Sequence, residues 1–381
     1  MNNVQNPVAV DQEYCPWNQC SLKAPSKVKI SDVSFKNIRG TSATPVVVKL
    51  ACSSGIPCEK VELADINLVY SGSEGPAKSQ CSNKERNIAN KKMGLNVISS
   101  AIILFSLLLL LASTAKAQSN GVFDVTKYGG KQDITAALTN AWKDACASMK
   151  PSKVRIPSGT YSLRQVTLAG PCKAAIELQV NGILKAPINP NQFSGGHWVN
   201  FRYIDQLTLS GSGTFDGQGN VAWSKSTCSK NKNCEGLPMN IRFDFITNGL
   251  VRDITTRDSK NFHVNVLGCK NLTFQHFTVT APAESINTDG IHIGRSTGIY
   301  IIDSKIGTGD DCISVGDGTE DLHVTRVTCG PGHGISVGSL GRYPNEKPVS
   351  GIFVKNCTIS NTANGVRIKS WPDMVTHLTC I

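Results

Sequence analysis

Short apolar segments recur along this chain, and four of them near its C-terminal end align with one another. Each carries a β-branched residue followed by a polar one, at Ile291, Ile313, Ile335 and Val366. The intervals are 22 (291 to 313), 22 (313 to 335) and 31 (335 to 366) residues. Such self-similarity is typical of a solenoid, in which each repeat forms one coil and stacks on the next. The pattern predicts an all-β fold, a right-handed parallel β-helix, with aligned residues about 4.8 Å apart in columns.

The polar residues beside these apolar positions also align. Two positions earlier stand Asp289, Asp311, His333 and Asn364, and one position later stand His292, Ser314, Ser336 and Arg367. Asp310 adjoins the first column and Lys369 follows the second, so stacking would gather them on one face. Clustered carboxylates raise one another's pKa, which lets a general acid work beside a general base. Arg and Lys beside them would bind an anionic group. A lone Asp in this position is usually a turn residue, but an aligned set is not explained in that way.

The rest of the pattern fits the same fold. Residues 133–149 have apolar residues at helical spacing (Ile134, Leu138, Trp142 and Cys146), which predicts an amphipathic helix that caps the first coil. Residues 121–128 read as a strand before it. Further strands are expected over 153–157, 165–168, 175–180, 205–209, 249–255, 262–267 and 272–279. The Gly-rich stretch 211–217 is a turn, because it lacks the following helix of a nucleotide site.

A run of 16 apolar and small residues, 97–112, lies far inside the chain. Lys91, Lys92 and Met93 precede it, and Ala115-Lys-Ala117 follows it as a cleavage pattern. The run is short for a membrane span and has the length of a signal-peptide core; a buried helix or a signal anchor is the alternative. We therefore interpret residues 93–117 as an internal signal peptide and expect a secreted protein that begins near Gln118.

Four segments carry a family resemblance: Asn287-Thr-Asp289, Gly309-Asp-Asp311, Gly332-His-Gly334 and Arg367-Ile-Lys369. They resemble the four signature blocks of the polygalacturonases, glycoside hydrolase family 28. The longer sequences around them resemble those of plant exopolygalacturonases. The resemblance implies inverting hydrolysis of α-1,4 galacturonosyl bonds in pectin without a cofactor or a metal. It implies Asp310 as proton donor, Asp289 and Asp311 as the base for water, and His333 as a support for the acid. It also implies that Asn287, Arg367 and Lys369 bind the substrate.

Residues 1–83 resemble the C-terminal coils of a plant polygalacturonase, although they stand at the start of this chain. Residues 84–92 are a polar junction, and residues 118–381 resemble the body of the enzyme without its last coils. We interpret the chain as the tail of one copy fused to the signal peptide and body of the next; an unrelated N-terminal domain is the alternative. We expect residues 1–83 to pair with the coil of Lys369 and complete the solenoid. An extended linker over 84–117 reaches about 110 Å, which exceeds a stack of about 50 Å.

The composition of the chain indicates its cellular compartment. The chain has 381 residues, 14 Cys and a formal net charge of +11, which favour an oxidising compartment and suit an acidic polymer. Plausible disulfide pairs, which the sequence alone does not fix, are Cys312–Cys329, Cys146–Cys172, Cys228–Cys234 and Cys52–Cys58. Asn271 and Asn356 begin glycosylation triplets. We expect a monomer in the cell wall with pectin as partner, no nucleic acid and no membrane span.

Other functions stay open at this stage. The chain is either an exo-acting hydrolase, a catalytically inactive wall-associated binding or fusion product, or a calcium-assisted lyase on the same fold. The stacking of Asp289 on Asp311 at about 5 Å would by itself indicate retention, whereas the family resemblance indicates inversion. The sequence does not separate exo from endo attack.

Overall fold

The computed structural model describes residues 1–16, 20, 24–82, 121–225, 236–372 and 378–380. Two α-helices occur in these residues, α1 (Thr135–Cys146) and α2 (Asn220–Lys225). The strands, in chain order, are β1 (Asn6–Asp11), β2 (Val28–Ile30), β3 (Ser34–Lys36), β4 (Arg39–Thr41), β5 (Val46–Ala51), β6 (Glu62–Ala64), β7 (Asn67–Val69), β8 (Lys78–Ser82), β9 (Gly121–Asp124), β10 (Ser152–Ile156), β11 (Thr160–Ser162), β12 (Val166–Ala169), β13 (Ile176–Val180), β14 (Ile183–Lys185), β15 (His197–Arg202), β16 (Leu207–Ser210), β17 (Thr214–Asp216), β18 (Met239–Asp244), β19 (Thr247–Arg252), β20 (Thr255–Arg257), β21 (Val264–Leu267), β22 (Lys270–Gln275), β23 (Thr278–Thr280), β24 (Ile291–Gly294), β25 (Thr297–Ile302), β26 (Lys305–Gly307), β27 (Asp311–Val315), β28 (Glu320–Thr325), β29 (Thr328–Cys329), β30 (Gly334–Leu340), β31 (Ser350–Lys355), β32 (Thr358–Ile359), β33 (Asn364–Ser370) and β34 (Leu378–Cys380).

Three long parallel sheets form the walls of a β-helix, as the sequence predicts. The first, here called the site sheet, has the order β12-β15-β18-β21-β24-β27-β30-β33-β1-β5-β8. The second, the outer sheet, has the order β31-β28-β25-β22-β19-β16-β13-β10-β9, and the third has the order β11-β14-β17-β20-β23-β26-β29-β32. Alternate residues of each strand point inward, and the interior between the sheets is filled by buried Val, Ile, Leu and Phe side chains.

Each coil is built from short strands separated by sharp corners, and this corrects several predicted strands. The expected strand over 249–255 is two strands, β19 and β20, because Asp253 between them has a φ of 60°. His276, with a φ of 50°, divides the strand expected over 272–279 in the same way. The strand expected over 121–128 ends at Asp124, whose carboxylate accepts a hydrogen bond from the amide of Thr126 and begins a 3-10 helix. A left-handed corner conformation is rare outside glycine, so the alternation of apolar residues did not reveal these corners.

The predicted cap is confirmed. Helix α1 buries Leu138 and Trp142 against the first coil, and the Trp142 indole donates to the carbonyl of Ala169 at 3.1 Å. The disulfide Cys146–Cys172 ties the end of α1 to the loop after β12. The predicted pairs Cys52–Cys58 and Cys312–Cys329 are present too, together with Cys15–Cys20, which sequence reasoning did not propose. The predicted pair Cys228–Cys234 lies outside the described residues.

Residues 1–82 continue the solenoid beyond β33. Strand β1 pairs in parallel with β33, with Val8 opposite Val366 and Asp11 opposite Lys369, and its other edge pairs with β5. Val8 and Val10 are fully buried in the common core. The predicted pairing of this segment with the Lys369 coil is therefore confirmed: the coils follow the order 121–380 and then 1–82. The predicted junction and signal peptide, residues 84–117, lie outside the described residues. Within the described part no helix is both long and apolar enough to cross a membrane.

A buried histidine gives this core a predicted sensitivity to acid. His263 is fully buried; its Nδ1 lies 3.2 Å from the hydroxyl of Thr256, and its Nε2 has no hydrogen-bond partner among the described residues. Burial lowers the pKa of His263 to about 3. Because the folded pKa lies below that of the unfolded chain, its contribution to stability is present above pH 6.5 and is lost as the pH falls from there towards 3.

We expect the free energy of unfolding to fall by about 2 kcal/mol from this residue alone between pH 6.5 and pH 5. Urea unfolding at the two pH values measures it, and His263→Gln serves as the comparison because glutamine does not titrate. The variant should lose less stability than the native chain over this interval. An equal loss in both proteins would contradict the prediction.

Candidate active site

The predicted columns are confirmed and lie on the site sheet. Ile291 is opposite Ile313, Ile313 opposite Ile335, and Ile335 opposite Val366. These apolar residues point inward, so the intervening Ser314, Ser336 and Arg367 face outward across β27, β30 and β33. The sheet thereby brings six of the predicted site residues into one cluster on its outer face.

Asp311 is the centre of this cluster. Its carboxylate is 2% exposed and accepts a hydrogen bond from the Lys369 ammonium at 2.8 Å. Its other oxygen accepts from the Ser336 hydroxyl at 2.7 Å and from the Arg367 guanidinium at 3.3 Å. Burial acts to lower the pKa of Lys369, but the charge of Asp311 outweighs it, and that pKa lies above its ordinary value. Three hydrogen-bond donors, two of them positively charged, thus surround the Asp311 carboxylate.

Asp310 and His333 form the second part of the cluster. Their side chains meet at 2.9 Å between Oδ1 and Nδ1, and the backbone amide of His333 donates to the Asp310 carbonyl at 2.7 Å. Burial acts to raise the pKa of Asp310, but the hydrogen bond and charge of His333, with the charge of Lys369, outweigh it and lower the pKa. The hydrogen bond with Asp310 raises the pKa of His333. Their contact therefore shifts the two pKa values in opposite directions, which favours the ion pair of an Asp310 carboxylate with a protonated His333.

Asp289 is the third carboxyl, at the start of the preceding coil. Its side chain is buried, and the backbone around it is fixed by hydrogen bonds from the amide of His263 to its carbonyl and from the amide of Gly290 to the Asp311 carbonyl. Burial raises the pKa of Asp289 well above its usual range, and the charges of Asp310 and Asp311 raise it further. The pKa values of two neighbouring carboxyls are thus shifted in opposite directions, that of Asp289 upward and that of Asp310 downward.

Asn287 lies at the rim rather than inside the cluster. It is exposed, and its amide donates to the side chain of Asn261 on the neighbouring coil. No hydrogen bond joins Asn287 to the three carboxyls within the described residues. The neighbouring Thr288 is buried instead, and its hydroxyl bonds Ser285, Thr308 and the amide of Gly309, which links the Asp289 loop to the Asp310 loop.

Tyr14 is a site residue that sequence reasoning missed. Its ring centroid lies 5.2 Å from the Lys369 ammonium and 5.6 Å from the Arg367 guanidinium, within the range of a cation–π contact. Trp371 meets the same ring edge to face at 6.0 Å. Tyr14 belongs to the N-terminal segment, more than 350 residues from Lys369 in sequence. Only the placement of residues 1–82 after β33 could have revealed it.

The cluster also has groups of the kind that ligate cations. One ligand atom from each of Asp310, Asp311 and His333 lies within 4.8 Å of the others. Asp311 and His333 already bond Lys369 and Asp310, respectively, so the positive charge beside the carboxylates is supplied by the chain itself. The chemistry of this donor set is that of acid–base catalysis with an adjoining anion-binding pair.

Known proteins are similar to this chain in sequence. The chain is 56% identical over 270 residues to a polygalacturonase of Nicotiana tabacum, covering 70% of this chain and 67% of that protein. It is 57% identical over 260 residues to an exopolygalacturonase of Platanus acerifolia, covering 67% and 69%.

Solved structures with the same fold include the endo-xylogalacturonan hydrolase from Aspergillus tubingensis. It superposes with a TM-score of 0.60 at 25% identity, covering 68% of this chain and 72% of that one. The exopolygalacturonase of Thermotoga maritima, at 16% identity and a TM-score of 0.56, shares the fold over 65% and 68%. The family model of glycosyl hydrolases family 28 matches residues 1–92 and 146–381, the same two parts that join at β1 and β33. On this match and these identities, the chain belongs to glycosyl hydrolase family 28.

Proposed function

We propose that this protein hydrolyses the α-1,4 bonds between galacturonate units of polygalacturonate, and that it attacks from a chain end. The observation that carries the proposal is the cluster of Asp289, Asp310 and Asp311 beside Arg367 and Lys369, in a member of a glycoside hydrolase family. Relatives of more than 50% identity are named polygalacturonase or exopolygalacturonase. Release of reducing ends from polygalacturonate tests it. Binding of the polymer without release would instead favour an inactive wall-binding protein.

The proton donor in this proposal is Asp310. A glycosidic oxygen needs a proton as it leaves, and a carboxyl group positioned beside it supplies one. In this proposal the proton lies on His333 in the free enzyme, where Nδ1 of His333 is 2.9 Å from Oδ1 of Asp310. Substrate that excludes water from the pair would favour its transfer to Asp310, because a neutral carboxyl and a neutral imidazole tolerate burial better than two charges. His333 thus keeps the acid supplied with a proton.

Water is activated on the other side of the bond by Asp311 together with Asp289. The Asp311 carboxylate, which accepts a hydrogen bond from the Lys369 ammonium at 2.8 Å, accepts a proton from water when the water attacks the sugar. Burial and the charges of Asp310 and Asp311 favour the protonated form of Asp289, so it acts as a base only after releasing that proton to solvent. Protonation of Asp310 favours this release, because it removes one of the neighbouring negative charges. Direct attack by water gives inversion at the anomeric carbon. Because three carboxyls are available, the distance between acid and base is not limited to the spacing of about 5 Å between two adjacent coils, which by itself would indicate retention.

Substrate binding is assigned to the two cations that border the carboxylates, and Asn287 contacts substrate from the rim. Arg367 has the more available group of the pair: it is 14% exposed, against 9% for Lys369, and its bonds to Asp311 and Ser336 are long at 3.3 Å. A planar guanidinium can accept a sugar carboxylate in a bidentate arrangement. In this proposal Lys369 contacts two carboxylates at once, that of Asp311 and that of the bound sugar.

We expect Arg367→Ala to raise KM for polygalacturonate by about tenfold to a hundredfold, because a charge-assisted hydrogen bond contributes about 1.5–3 kcal/mol. Initial rates on polygalacturonate and on highly methyl-esterified pectin measure it. The ester lacks the negative charge, so its KM should change much less. An equal effect on both substrates would show that Arg367 does not act by gripping the carboxylate.

The proposed location is outside the cell, in the wall. Four disulfides join described residues, and such bonds persist in oxidising compartments. Pectin is a wall polymer, and we propose that the enzyme meets it there after secretion. Fractionation of the protein between wall extract and cell interior tests the location.

A further inference from the structure

One coil of the solenoid has no strand on the outer wall among the described residues. In the site sheet β1 lies between β33 and β5, whose coils run through β31 and β3 on the outer wall. The coil of β1 contributes no such strand: β31 is the last strand of its sheet, and β3 pairs only with β6. The edges of β31 and β3 therefore face each other across two strand spacings, or about 9.6 Å. We call this gap the slot.

The third wall of the solenoid fixes the register of the two edges. Asn2 pairs with Ser360 on one side. On the other side Met1 bridges to β4, because its amino nitrogen donates to the Arg39 carbonyl and its carbonyl accepts from the Thr41 amide. Residues 360, 2 and 41 are thus level with one another. Counting back along the chain places residues 352–355 of β31 level with residues 33–36 on the opposite edge.

The corners of the coils agree with this register. Gly351 and Asn356 are left-handed on the β31 side, with φ of 66° and 54°. Asp32 and Asn37, which are level with them, have φ of 56° and 55°. From the first corner to the position before the level of Met1, the slot has room for eight residues (32 to 39). No described residue occupies these positions.

The slot opens the apolar interior of the solenoid. Leu322 and Val324, inward residues of the complete coil before it, are 0% exposed. Their partners on β31, Ile352 and Val354, are only half-buried, and so is Val33 on the opposite edge. These side chains lack a neighbour on one side. Apolar side chains placed at the same level in the slot would complete the inward row at the packing density of the other coils.

An aromatic ladder on the outward face ends at the slot. Tyr300, His323 and Phe353 stack on successive strands, with ring centroids 5.1 Å and 4.8 Å apart. Phe353 is the last ring, at the edge of β31, and it is 41% exposed. Stacked rings present their faces along the ladder, so the uncovered face of Phe353 is turned towards the slot. An aromatic residue one strand spacing further on would continue the ladder.

Two lysines border the next outward position. Lys355 and Lys36 are level with each other, and both are exposed. Lys36 pairs with Glu62 at 2.8 Å, on the side away from the slot. Lys355 pairs with no carboxylate in the described part of the chain, and its ammonium lies 5.5 Å from the Phe353 ring centroid. A carboxylate in the slot would lie one strand spacing from each lysine, where opposite charges on adjacent strands attract.

We propose that the slot binds an extended peptide strand of eight residues, parallel to β31 and β3. The peptide has apolar residues facing the interior, an aromatic ring beside Phe353 and a carboxylate between Lys355 and Lys36. Binding of this kind is strand addition, in which the backbone provides affinity and alternate side chains provide specificity. The partner is therefore a polypeptide, and it binds a different wall from the one that carries the carboxylate cluster. The inference does not depend on the proposed function.

The test uses the full chain and a fluorescently labelled synthetic peptide, Asn-Ile-Tyr-Val-Glu-Asn-Ile-Thr. Each position follows its two neighbours: Asn at the corners, Ile and Val inward, Tyr beside Phe353, and Glu between the lysines. Fluorescence anisotropy measures the affinity, and sedimentation velocity measures the stoichiometry. We expect a one-to-one complex and a higher midpoint of thermal unfolding when the peptide is present.

The reversed sequence is the matched control peptide, because it has the same composition but turns its Glu towards the interior. It should bind at least about tenfold more weakly, since an unpaired charge would be buried.

Charge reversal tests the position of the peptide in the slot. A peptide with Lys in place of Glu should bind the native chain about tenfold more weakly. Lys355→Glu should restore binding of the Lys peptide and weaken binding of the Glu peptide. Lys270→Glu changes an exposed lysine three strands away on the outer sheet, and it should leave both affinities unchanged. Urea midpoints show whether each variant is folded, and the exchange of Glu for Lys in the peptide needs no variant.

The proposal is overturned if the native chain does not bind the designed peptide, since another part of the chain or a second copy would then fill the slot. It is also overturned if the designed and reversed peptides bind alike, or if a folded Lys355→Glu does not alter the preference between Glu and Lys. A chain that binds the peptide but does not cut polygalacturonate would end the proposed function and leave the slot supported.

Discussion

Asp310→Asn is expected to lower kcat on polygalacturonate by a factor of about 10²–10⁴, the usual contribution of a general acid. Asparagine keeps the shape of the side chain but cannot pass a proton from His333 to the leaving oxygen. The bond from the amide of His333 to the Asp310 carbonyl does not involve the carboxylate, and the amide of Asp311, which donates to Asp310 Oδ1 at 2.8 Å, can donate equally to the side-chain oxygen of asparagine. KM should therefore change little. Initial rates of reducing-end release measure both constants.

A second readout separates the chemical role from a structural one. The Asp310 carboxylate raises the pKa of His333, so its removal should lower that pKa, which NMR titration of the imidazole detects. Asp303→Asn is a matched control, because Asp303 is a partly exposed carboxylate paired with Arg326 at 2.6 Å on another face. It should leave kcat unchanged. Near-native turnover by Asp310→Asn would end the assignment of this residue as the acid.

Removal of residues 1–92 is expected to abolish activity and most of the soluble protein. The deletion would expose the edge of β33 along its backbone, together with the apolar surface that Val8 and Val10 cover. An exposed parallel edge over an open core favours aggregation. It would also remove Tyr14 from Lys369 and Arg367 and break the hydrogen bond between the Ser26 and Ser370 hydroxyls at 2.8 Å. Gel filtration and reducing-end release test both effects.

The control keeps the segment but cuts its covalent connection. A protease site placed within 83–120 and cut after folding should leave the two parts bound together and active, because the pairing of β1 with β33 does not depend on that stretch. If cleavage near Gln118 during secretion removes the covalent link, the same pairing would have to retain residues 1–82. A soluble, fully active chain that starts at Met93 would show that the N-terminal coils are dispensable.

The sequence by itself determined the register of the site. The apolar residues at Ile291, Ile313, Ile335 and Val366 must face one interior, and a slip of a single position would turn each of them to solvent. That constraint fixed the polar columns before any coordinates and placed Asp289, Asp311, His333 and Arg367 near one another. It predicted the capping helix for the same reason, since one apolar stripe at helical spacing has to cover one open end. The prediction and the structure agree wherever the prediction rested on apolar residues that repeat along the chain and face the interior.

Tertiary structure alone decided three features: the left-handed corners of the coils, the residues that border the site, and the directions in which the carboxyl pKa values shift. Asp253 and His276 turn the chain in a left-handed conformation that alternation of apolar residues does not encode. Tyr14 reaches Lys369 only because residues distant in sequence occupy neighbouring coils. Burial and the charges of Asp310 and Asp311 raise the pKa of Asp289, while at Asp310 the effect of burial is outweighed by the hydrogen bond with His333, which lowers the pKa. Both shifts depend on distances between coils. A repeating sequence specifies which residues form a column. The pKa shifts and contact energies of those residues depend on the side chains that neighbouring columns place beside them.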